Sequence, residues 1–257
     1  MKRRLVLSAA AAALPALRSA AGGAPARVAA ASDLQFALPA VAALFEQARG
    51  DKIELSFGSS GNFTRQIEQG APFDLFLSAD EGYALRLADA GLTHDRGALY
   101  AVGRIAVIVP AASTLVLDER LEGLRRGWTQ VQRFAIAHPE HAPYGRAARE
   151  ALVALDLWPQ AQARLVLGEN ISQATQYVAT GAAQAGITAL SLALAPAVAA
   201  ATRHLPLPES LHQPLRQRMV LLKGARPAAV AFHDFLQGAA ARAVLARQGF
   251  ALPDAAR

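Results

Sequence analysis

The feature that most constrains the fold is a regular alternation of short apolar segments with longer segments that carry apolar residues at helical spacing. Short connections join them, a pattern typical of an α/β architecture built around a parallel sheet. Ligands of such sheets bind beyond the carboxyl ends of the strands, where helices begin, so any site is expected at the strand-to-helix turns. The predicted strands are 28–31, 52–57, 74–78, 104–109, 134–137, 165–167, 185–189 and 218–222, and the predicted helices are 36–49, 63–69, 83–90, 146–155, 172–180 and further helices within 228–248.

Residues 1–26 have the pattern of a secretory leader. Three basic residues at 2–4 precede an apolar run over 5–17, and the small residues at 24–26 offer a cleavage region. A membrane anchor would need about 20 apolar residues, whereas Arg18 stops this run. We therefore expect a cleavable signal peptide, export to the periplasm and a soluble mature protein.

The charge balance changes when the leader is excluded. The whole chain has 26 Lys and Arg against 20 Asp and Glu, a net charge of +6. Four of the basic residues lie in the predicted leader, which leaves 22 basic against 20 acidic residues. These are scattered rather than clustered, so no nucleic-acid partner is expected. The absence of cysteine excludes disulfides, thiolate metal sites, a cysteine nucleophile and a lipidated cysteine after the leader.

Four strand-to-helix turns, at 31–34, 58–62, 142–145 and 169–172, offer free backbone N–H groups. The first N–H groups of a helix have no partner within the helix and carry the positive end of its dipole. They therefore attract anions without any Lys or Arg, and several of them around one cavity would hold a tetrahedral oxyanion with neutral donors. Each turn alone is equally compatible with an ordinary helix cap or a plain turn, so the residues by themselves leave both interpretations open.

Catalytic and metal-binding alternatives have less support. A serine hydrolase usually has Gly-x-Ser-x-Gly at its nucleophile turn, and the segment GSSGN at 58–62 lacks the last glycine. The chain has no Gly-Lys-Ser/Thr phosphate loop and no glycine-rich dinucleotide fingerprint. His138 and His141 are three residues apart, as metal ligands can be, but no second cluster accompanies them. We expect no catalysis, no cofactor and no direct side-chain ligand to a metal.

Five segments around these turns carry a resemblance to a known family. They are AASDLQFAL (30–38), SFGSSGNFTRQIEQGAPFDLFLSAD (56–80), AHPEHAPYGRAAREAL (137–152), GENISQATQYVATGAAQAGITALS (168–191) and LRQRMVLLKG (215–224). In these segments the sequence resembles the periplasmic molybdate-binding proteins, the substrate-capture subunits of molybdate ABC transporters. The resemblance extends over nearly the whole predicted mature chain, and the stretch 56–80 is its most specific part because several independent features occur there in register.

The resemblance implies a type II periplasmic binding fold, in which two α/β lobes joined by crossing strands close like a hinge on a ligand in the cleft between them. Residues 27–104 and 205–257 would form lobe I, and residues 105–204 would form lobe II. By motif, the ligand contacts would come from Ser32, Asp33, Ser59 and, more weakly, Ser60 in lobe I, and from Tyr144 and the backbone N–H of Ile171 in lobe II.

Two positions depart from the family pattern. Some members place a tyrosine just after the late Gly-Ile strand, where this chain has Ala189, and a related subgroup implies that Tyr144 serves instead. Asp33 would set a carboxylate against a dianion, which at about 4 Å costs on the order of 1 to 4 kcal/mol per charge pair. We therefore expect its side chain to turn away and cap the helix, leaving only its N–H toward the ligand. A carboxylate facing the pocket would instead favour a protonated oxyanion.

The resemblance also implies a function and partners. The expected protein is a periplasmic, non-catalytic monomer that captures molybdate or tungstate and delivers it to the membrane permease of an ABC transporter. Sulfate or phosphate is an alternative ligand, because the sequence does not reveal the size of the cavity. An oxyanion-sensing module of the same fold, or a hydrolase, is the alternative of another class, and the leader favours export instead.

Overall fold

The computed structural model describes residues 24–253, and the predicted signal peptide at 1–26 lies almost wholly outside them. The described residues form ten strands in two sheets. The strands are β1 (Ala26–Ala31), β2 (Ile53–Gly58), β3 (Leu75–Ser78), β4 (Ala98–Gly103), β5 (Ile105–Pro110), β6 (Phe134–Ala137), β7 (Leu165–Gly168), β8 (Ala185–Ala189), β9 (Thr202–Pro206) and β10 (Leu215–Leu221).

Helices connect the strands and pack on the sheets. The first of them buries Leu38, Val41 and Phe45, which share one face at helical spacing, and it ends where Gly50 adopts φ 78° and donates its N–H to Glu46 O. Within 24–253, no helix combines the length and the apolar character needed to cross a membrane. The helices are α1 (Ala37–Arg49), α2 (Ser60–Glu68), α3 (Glu81–Asp89), α4 (Glu122–Arg126), α5 (Pro143–Ala154), α6 (Trp158–Gln162), α7 (Ile171–Ala179), α8 (Leu190–Ala193), α9 (Pro196–Ala201), α10 (Pro227–Gln237) and α11 (Ala239–Arg247).

Each sheet has five strands and mixed direction. The first has the order β2-β1-β3-β10-β4 and the second the order β7-β6-β8-β5-β9. Strand β1 is parallel to β2 and β3, and β6 is parallel to β7 and β8, whereas β10 and β5 are antiparallel to their neighbours. The predicted α/β class with two lobes is confirmed. The expected parallel pairing is found for β1, β2 and β3 and for β6, β7 and β8, whereas β5 and β10, which cross over from the other lobe, pair antiparallel.

The chain crosses between the lobes twice. Strand β4 ends at Gly103 in the first sheet, and β5 begins at Ile105 in the second. The return runs through 207–214 into β10, and the predicted lobe division at 204/205 falls inside β9, whose pairing with β5 continues to Pro206. Each lobe has its own apolar core, one centred on β1, α1 and α10 and the other on β5, β6 and α5.

Two strands lack a sequence signal strong enough to predict them. Strand β9 lies at the edge of its sheet and carries the polar residues Arg203 and His204, so it shows no apolar run. Strand β4, with the sequence ALYAVG, ends at a glycine and lies at the edge of its sheet, where it pairs with β10 and forms a single bridge to Ala251. Both owe their strand structure to partners that lie far away in the sequence, which local patterning does not reveal.

Candidate functional site

All six predicted ligand residues line one cavity between the lobes. It contains about 180 Å³ of atom-free space, a volume that includes the solvent at its opening. Among the described residues its lining includes no Lys, Arg or His. A cavity with this lining suits a small ligand bound by neutral donors. Its lining residues are Ala31, Ser32, Asp33, Gly58, Ser59, Ser60, Ala79, Ala142, Pro143, Tyr144 and Ile171.

The first wall of the cavity is the 3₁₀ turn Ser32–Leu34, which follows β1 directly. Lobe II forms two hydrogen bonds with this turn. The hydroxyl of Ser32 accepts a hydrogen bond from Ser172 N at 3.3 Å, and the hydroxyl of Ser191 donates one to Asp33 O at 2.8 Å. Closure of the lobes therefore holds both predicted residues of this turn in place.

The second wall is the junction of β2 with α2, where two serines have different roles. Ser59 precedes the helix, but its hydroxyl makes no cap hydrogen bond. Its Oγ is buried and has no partner among the described residues, so it is available to a ligand. The Oγ of Ser60 accepts a hydrogen bond from Ala79 N at 3.0 Å, which ties α2 to the end of β3. Ser60 is therefore in part a structural residue.

Tyr144 lies in the first turn of α5 and not in the free Pro-Tyr-Gly turn that the sequence indicates. Pro143 occupies a first-turn position of the helix, where its fixed φ is favourable and its missing N–H costs nothing. The tyrosine is 2% exposed, and its hydroxyl donates to Asp33 Oδ2 at 2.9 Å. Its proton is thus held by a residue of the opposite lobe.

The prediction that the Asp33 side chain caps a helix is wrong. The turn has no side-chain cap, and Asp33 Oδ2 instead accepts hydrogen bonds from Tyr144 and, at 2.6 Å, from Gln217 Nε2. These buried donors hold the carboxyl group inside the protein. Burial raises the pKa of Asp33 from 3.8 to about 6, although the hydrogen bonds from Gln217 and Tyr144 act to lower it.

Gln217 and Tyr100 complete a polar cluster that the sequence reasoning missed. Gln217 Oε1 accepts a hydrogen bond from the Tyr100 hydroxyl at 2.7 Å, and Gln217 Nε2 also lies 3.1 Å from the Tyr144 hydroxyl. Burial, followed by the nearby charge of Asp33, raises the pKa of both tyrosines well above its usual value. The sequence did contain a sign of this cluster. Gln217 lies between Leu215 and Met219 at every second position of β10, on the face that is buried, and a buried polar residue needs a partner.

The third wall is the start of α7. The N-cap Asn170 accepts from Gln173 N at 3.1 Å, and Ser172 N is bound to Ser32. The N–H of Ile171 has no partner in the part of the chain that the structure describes. Of the first three N–H groups of this helix, only that of Ile171 therefore remains for a ligand, and Ile171 is the residue that the sequence predicts as a ligand contact.

Further contacts shut the lobes against each other. Gly61 N of α2 donates to His141 O at 2.9 Å, and Arg146 of α5 forms an ion pair with Asp80 at 2.8 Å. His141 also stacks on His138, with 4.4 Å between ring centroids. No cluster of three or more potential metal-ligating side chains occurs within residues 24–253. Of this pair, His141 takes part in the interlobe contact through its backbone carbonyl.

Two α/β lobes closed over a small cavity lined by donors from both define a solute-binding protein. The chain belongs to the bacterial extracellular solute-binding protein family, whose model matches residues 26–251, and within it to the family of the molybdate-binding proteins.

Two curated relatives and one solved structure support this assignment. The chain is 34% identical over 239 residues to the molybdate-binding protein ModA of Azotobacter vinelandii (92% of this chain, 93% of the relative), and 36% identical over 248 residues to that of Rhodobacter capsulatus (91% and 90%). The structure of the Azotobacter vinelandii periplasmic molybdate-binding protein superposes with a TM-score of 0.81 at 31% identity, covering 89% of this chain and 100% of that one. The predicted family and fold class are confirmed.

Proposed function

We propose that this protein captures molybdate or tungstate in the interlobe cavity and delivers it to the permease of an ABC transporter. The observation that carries the proposal is that the predicted oxyanion contacts, four from lobe I and two from lobe II, line one cavity of about 180 Å³. The relatives named above bind molybdate according to their names, which favours this ligand over sulfate or phosphate.

Capture depends on neutral donors and on closure. The Ser59 hydroxyl and the Ile171 N–H are buried at helix starts and have no partner within the described residues, so a tetrahedral oxyanion would satisfy groups that are costly to leave unpaired. Because these donors lie on opposite lobes, the full set forms only when the lobes close. Opening would dismantle the set and release the ion to the permease.

The proposal includes the location and the state of the protein. It is exported to the periplasm behind a cleaved leader, acts as a monomer, needs no cofactor and catalyses no reaction. The family of extracellular solute-binding proteins supports export and a binding role. Intact-mass measurement on protein isolated from the periplasm tests the leader, because retention of Met1 would contradict cleavage.

Thermal unfolding with a panel of oxyanions tests the choice of ligand. A ligand present at about one hundred times its Kd adds roughly 2.7 kcal/mol to the stability of the folded state. We expect molybdate and tungstate to raise the unfolding temperature by several degrees, and sulfate and phosphate at equal concentration to leave it unchanged. A shift with sulfate or phosphate alone would replace the proposed ligand, and no shift with any of the four would refute the proposed function.

Removal of the Ser59 hydroxyl tests the geometry of the site. Ser59→Ala deletes a buried donor to a charged ligand, which we expect to weaken molybdate binding by about 1.5 kcal/mol, or roughly tenfold. Isothermal titration calorimetry measures the change. Ser210→Ala, at an exposed serine of the crossing segment 207–214, is the matched control and should bind as the wild type does. Equal affinities of the two variants would remove Ser59 from the site.

A further inference from the structure

The cavity contains one acidic side chain, and half of its carboxyl group has no partner. Asp33 Oδ2 accepts from Tyr144 and Gln217, whereas Asp33 Oδ1 is buried and accepts no hydrogen bond from any residue in 24–253. Only one other side-chain atom of the cavity lining shares this condition, the Oγ of Ser59. Both atoms belong to predicted ligand contacts on lobe I.

The carboxyl group is held in position by its neighbours. Gln217 Nε2 lies 2.6 Å from Oδ2, and the Tyr100 hydroxyl fixes the Gln217 amide by donating to its oxygen. The Tyr144 hydroxyl is bound to the same Oδ2 from the opposite lobe. With Oδ2 bound twice, Oδ1 is the carboxyl oxygen that remains for a ligand in the cavity.

The ionisable groups that face Asp33 are neutral. Tyr144 of α5 touches it and Tyr100 of β4 reaches it through Gln217 of β10. Helices α7 and α8 pack against its turn with hydroxyl groups, and the one acidic residue of the adjacent β2, Glu54, is exposed and lies 3.6 Å from Arg27. No positive charge on these elements contacts the carboxylate.

The basic residues nearest in sequence to its partners are engaged elsewhere. Arg146, two residues after Tyr144, forms an ion pair with Asp80 at 2.8 Å. Arg216 and Arg218, on either side of Gln217, both form ion pairs with Glu81, at 2.7 and 3.1 Å. A dianion and an ionised carboxylate would therefore meet in a buried cavity with no cation to separate them.

Building on the proposed function, we propose that Asp33 is a specificity-determining group that carries one proton in the complex. The protonated Oδ1 donates a hydrogen bond to an oxygen of the bound oxyanion. The proton comes from solvent water or buffer, one O–H bond forms on Asp33, and no bond of the oxyanion breaks. The buried carboxyl is prepared for this step because its pKa is already raised to about 6. A dianion at hydrogen-bond distance raises that pKa further.

Proton uptake makes binding depend on pH in a defined direction. Above the pKa of the free carboxyl, each complex must acquire a proton that the free protein lacks, so affinity falls by up to tenfold for each further pH unit. Near pH 6 the dependence weakens, because about half of the Asp33 carboxyls already carry the proton. The site then favours oxyanions that are fully deprotonated at neutral pH over protonated ones, because Asp33 supplies the hydrogen of the hydrogen bond between them.

Calorimetry with sodium molybdate and sodium tungstate between pH 6 and pH 8.5, in pairs of buffers with different ionisation enthalpies, tests the proposal. For the wild type we expect uptake of close to one proton at pH 8 and an affinity about tenfold lower at pH 8 than at pH 7. Asp33→Asn keeps the shape and places an amide donor beside the cavity, so it should take up no proton, bind independently of pH, and bind at least tenfold more tightly than the wild type at pH 8. Asp89→Asn, the same charge change at an exposed site, should behave as the wild type.

The outcomes separate this inference from the function on which it rests. Tight binding of molybdate with no proton uptake and no pH dependence would overturn the role of Asp33 and leave the function intact. Binding of monohydrogen phosphate without proton uptake, in preference to molybdate, would show that Asp33 accepts a hydrogen instead of donating one, and would also overturn it. Failure to bind molybdate or tungstate at any pH refutes the proposed function and this inference together.

Discussion

Asp33→Asn is expected to stabilise the ligand-free protein at pH 7.5 and to leave its stability at pH 4 nearly unchanged. Burial raises the pKa of this carboxyl from 3.8 to about 6, so the folded state disfavours the ionised form. The stability tied to its protonated form is fully present below about pH 3.8 and is lost as the pH rises through 6. One pKa unit corresponds to about 1.4 kcal/mol, so the loss is at most roughly 3 kcal/mol.

Asparagine is neutral at every pH and has the same shape, so it escapes that loss. Its amide oxygen can accept the hydrogen bonds that Tyr144 and Gln217 now donate to Asp33 Oδ2. We expect a gain of about 1 to 3 kcal/mol at pH 7.5, the lower figure applying where the lobes open and water reaches the carboxylate. Urea unfolding at pH 4, 6 and 7.5 measures it, with Asp89→Asn as the control. A variant less stable than the wild type at pH 7.5 would contradict the raised pKa.

Gly61→Ala is expected to weaken molybdate binding by ten- to a hundredfold without destabilising the ligand-free protein. A Cβ atom at Gly61 would lie 2.7 Å from His141 O, and the three nearest atoms all belong to His141. The new methyl group therefore strikes His141 of the opposite lobe. Forcing such a contact costs about 1 to 3 kcal/mol, and the lobes can avoid it by staying apart.

The control for this prediction is on the same helix. Gln66→Ala changes an exposed residue of α2 whose backbone forms no hydrogen bond with that of His141, and it should bind molybdate as the wild type does. Because alanine favours helix over glycine by up to about 1 kcal/mol, Gly61→Ala should not lower the unfolding temperature of the ligand-free protein. Calorimetry and small-angle scattering with and without molybdate test both parts. Wild-type affinity with full compaction would show that closure does not need the Gly61 contact.

Much of the site was accessible from sequence because its parts are local. The strand-to-helix turns that carry Ser32, Ser59 and Ile171 are recognisable by short-range pattern, and the structure brings all three to one cavity. Their neutral donors follow from helix geometry, which is the same for every helix. The resemblance to molybdate-binding proteins added the assignment of these turns to one ligand.

The environment of Asp33 was not accessible in this way. Its partners Tyr144 and Gln217 are 111 and 184 residues away along the chain, and no local pattern reports such pairings. Sequence reasoning weighed the carboxylate against the ligand alone and therefore expected it to turn outward. Two buried donors on other elements hold it inward instead.

What the sequence by itself determined was the α/β class, the family and the set of small polar turns that a neutral oxyanion site needs, because periodicity and turn chemistry act over a few residues. What only the tertiary structure decided was the direction of β5 and β10, the burial of the Asp33–Gln217–Tyr144 cluster and the fit of Gly61 against His141. Each of these depends on crossings that bring distant segments together. The raised pKa of Asp33 arises there as well, because desolvation is a property of the packed interior and not of the residue.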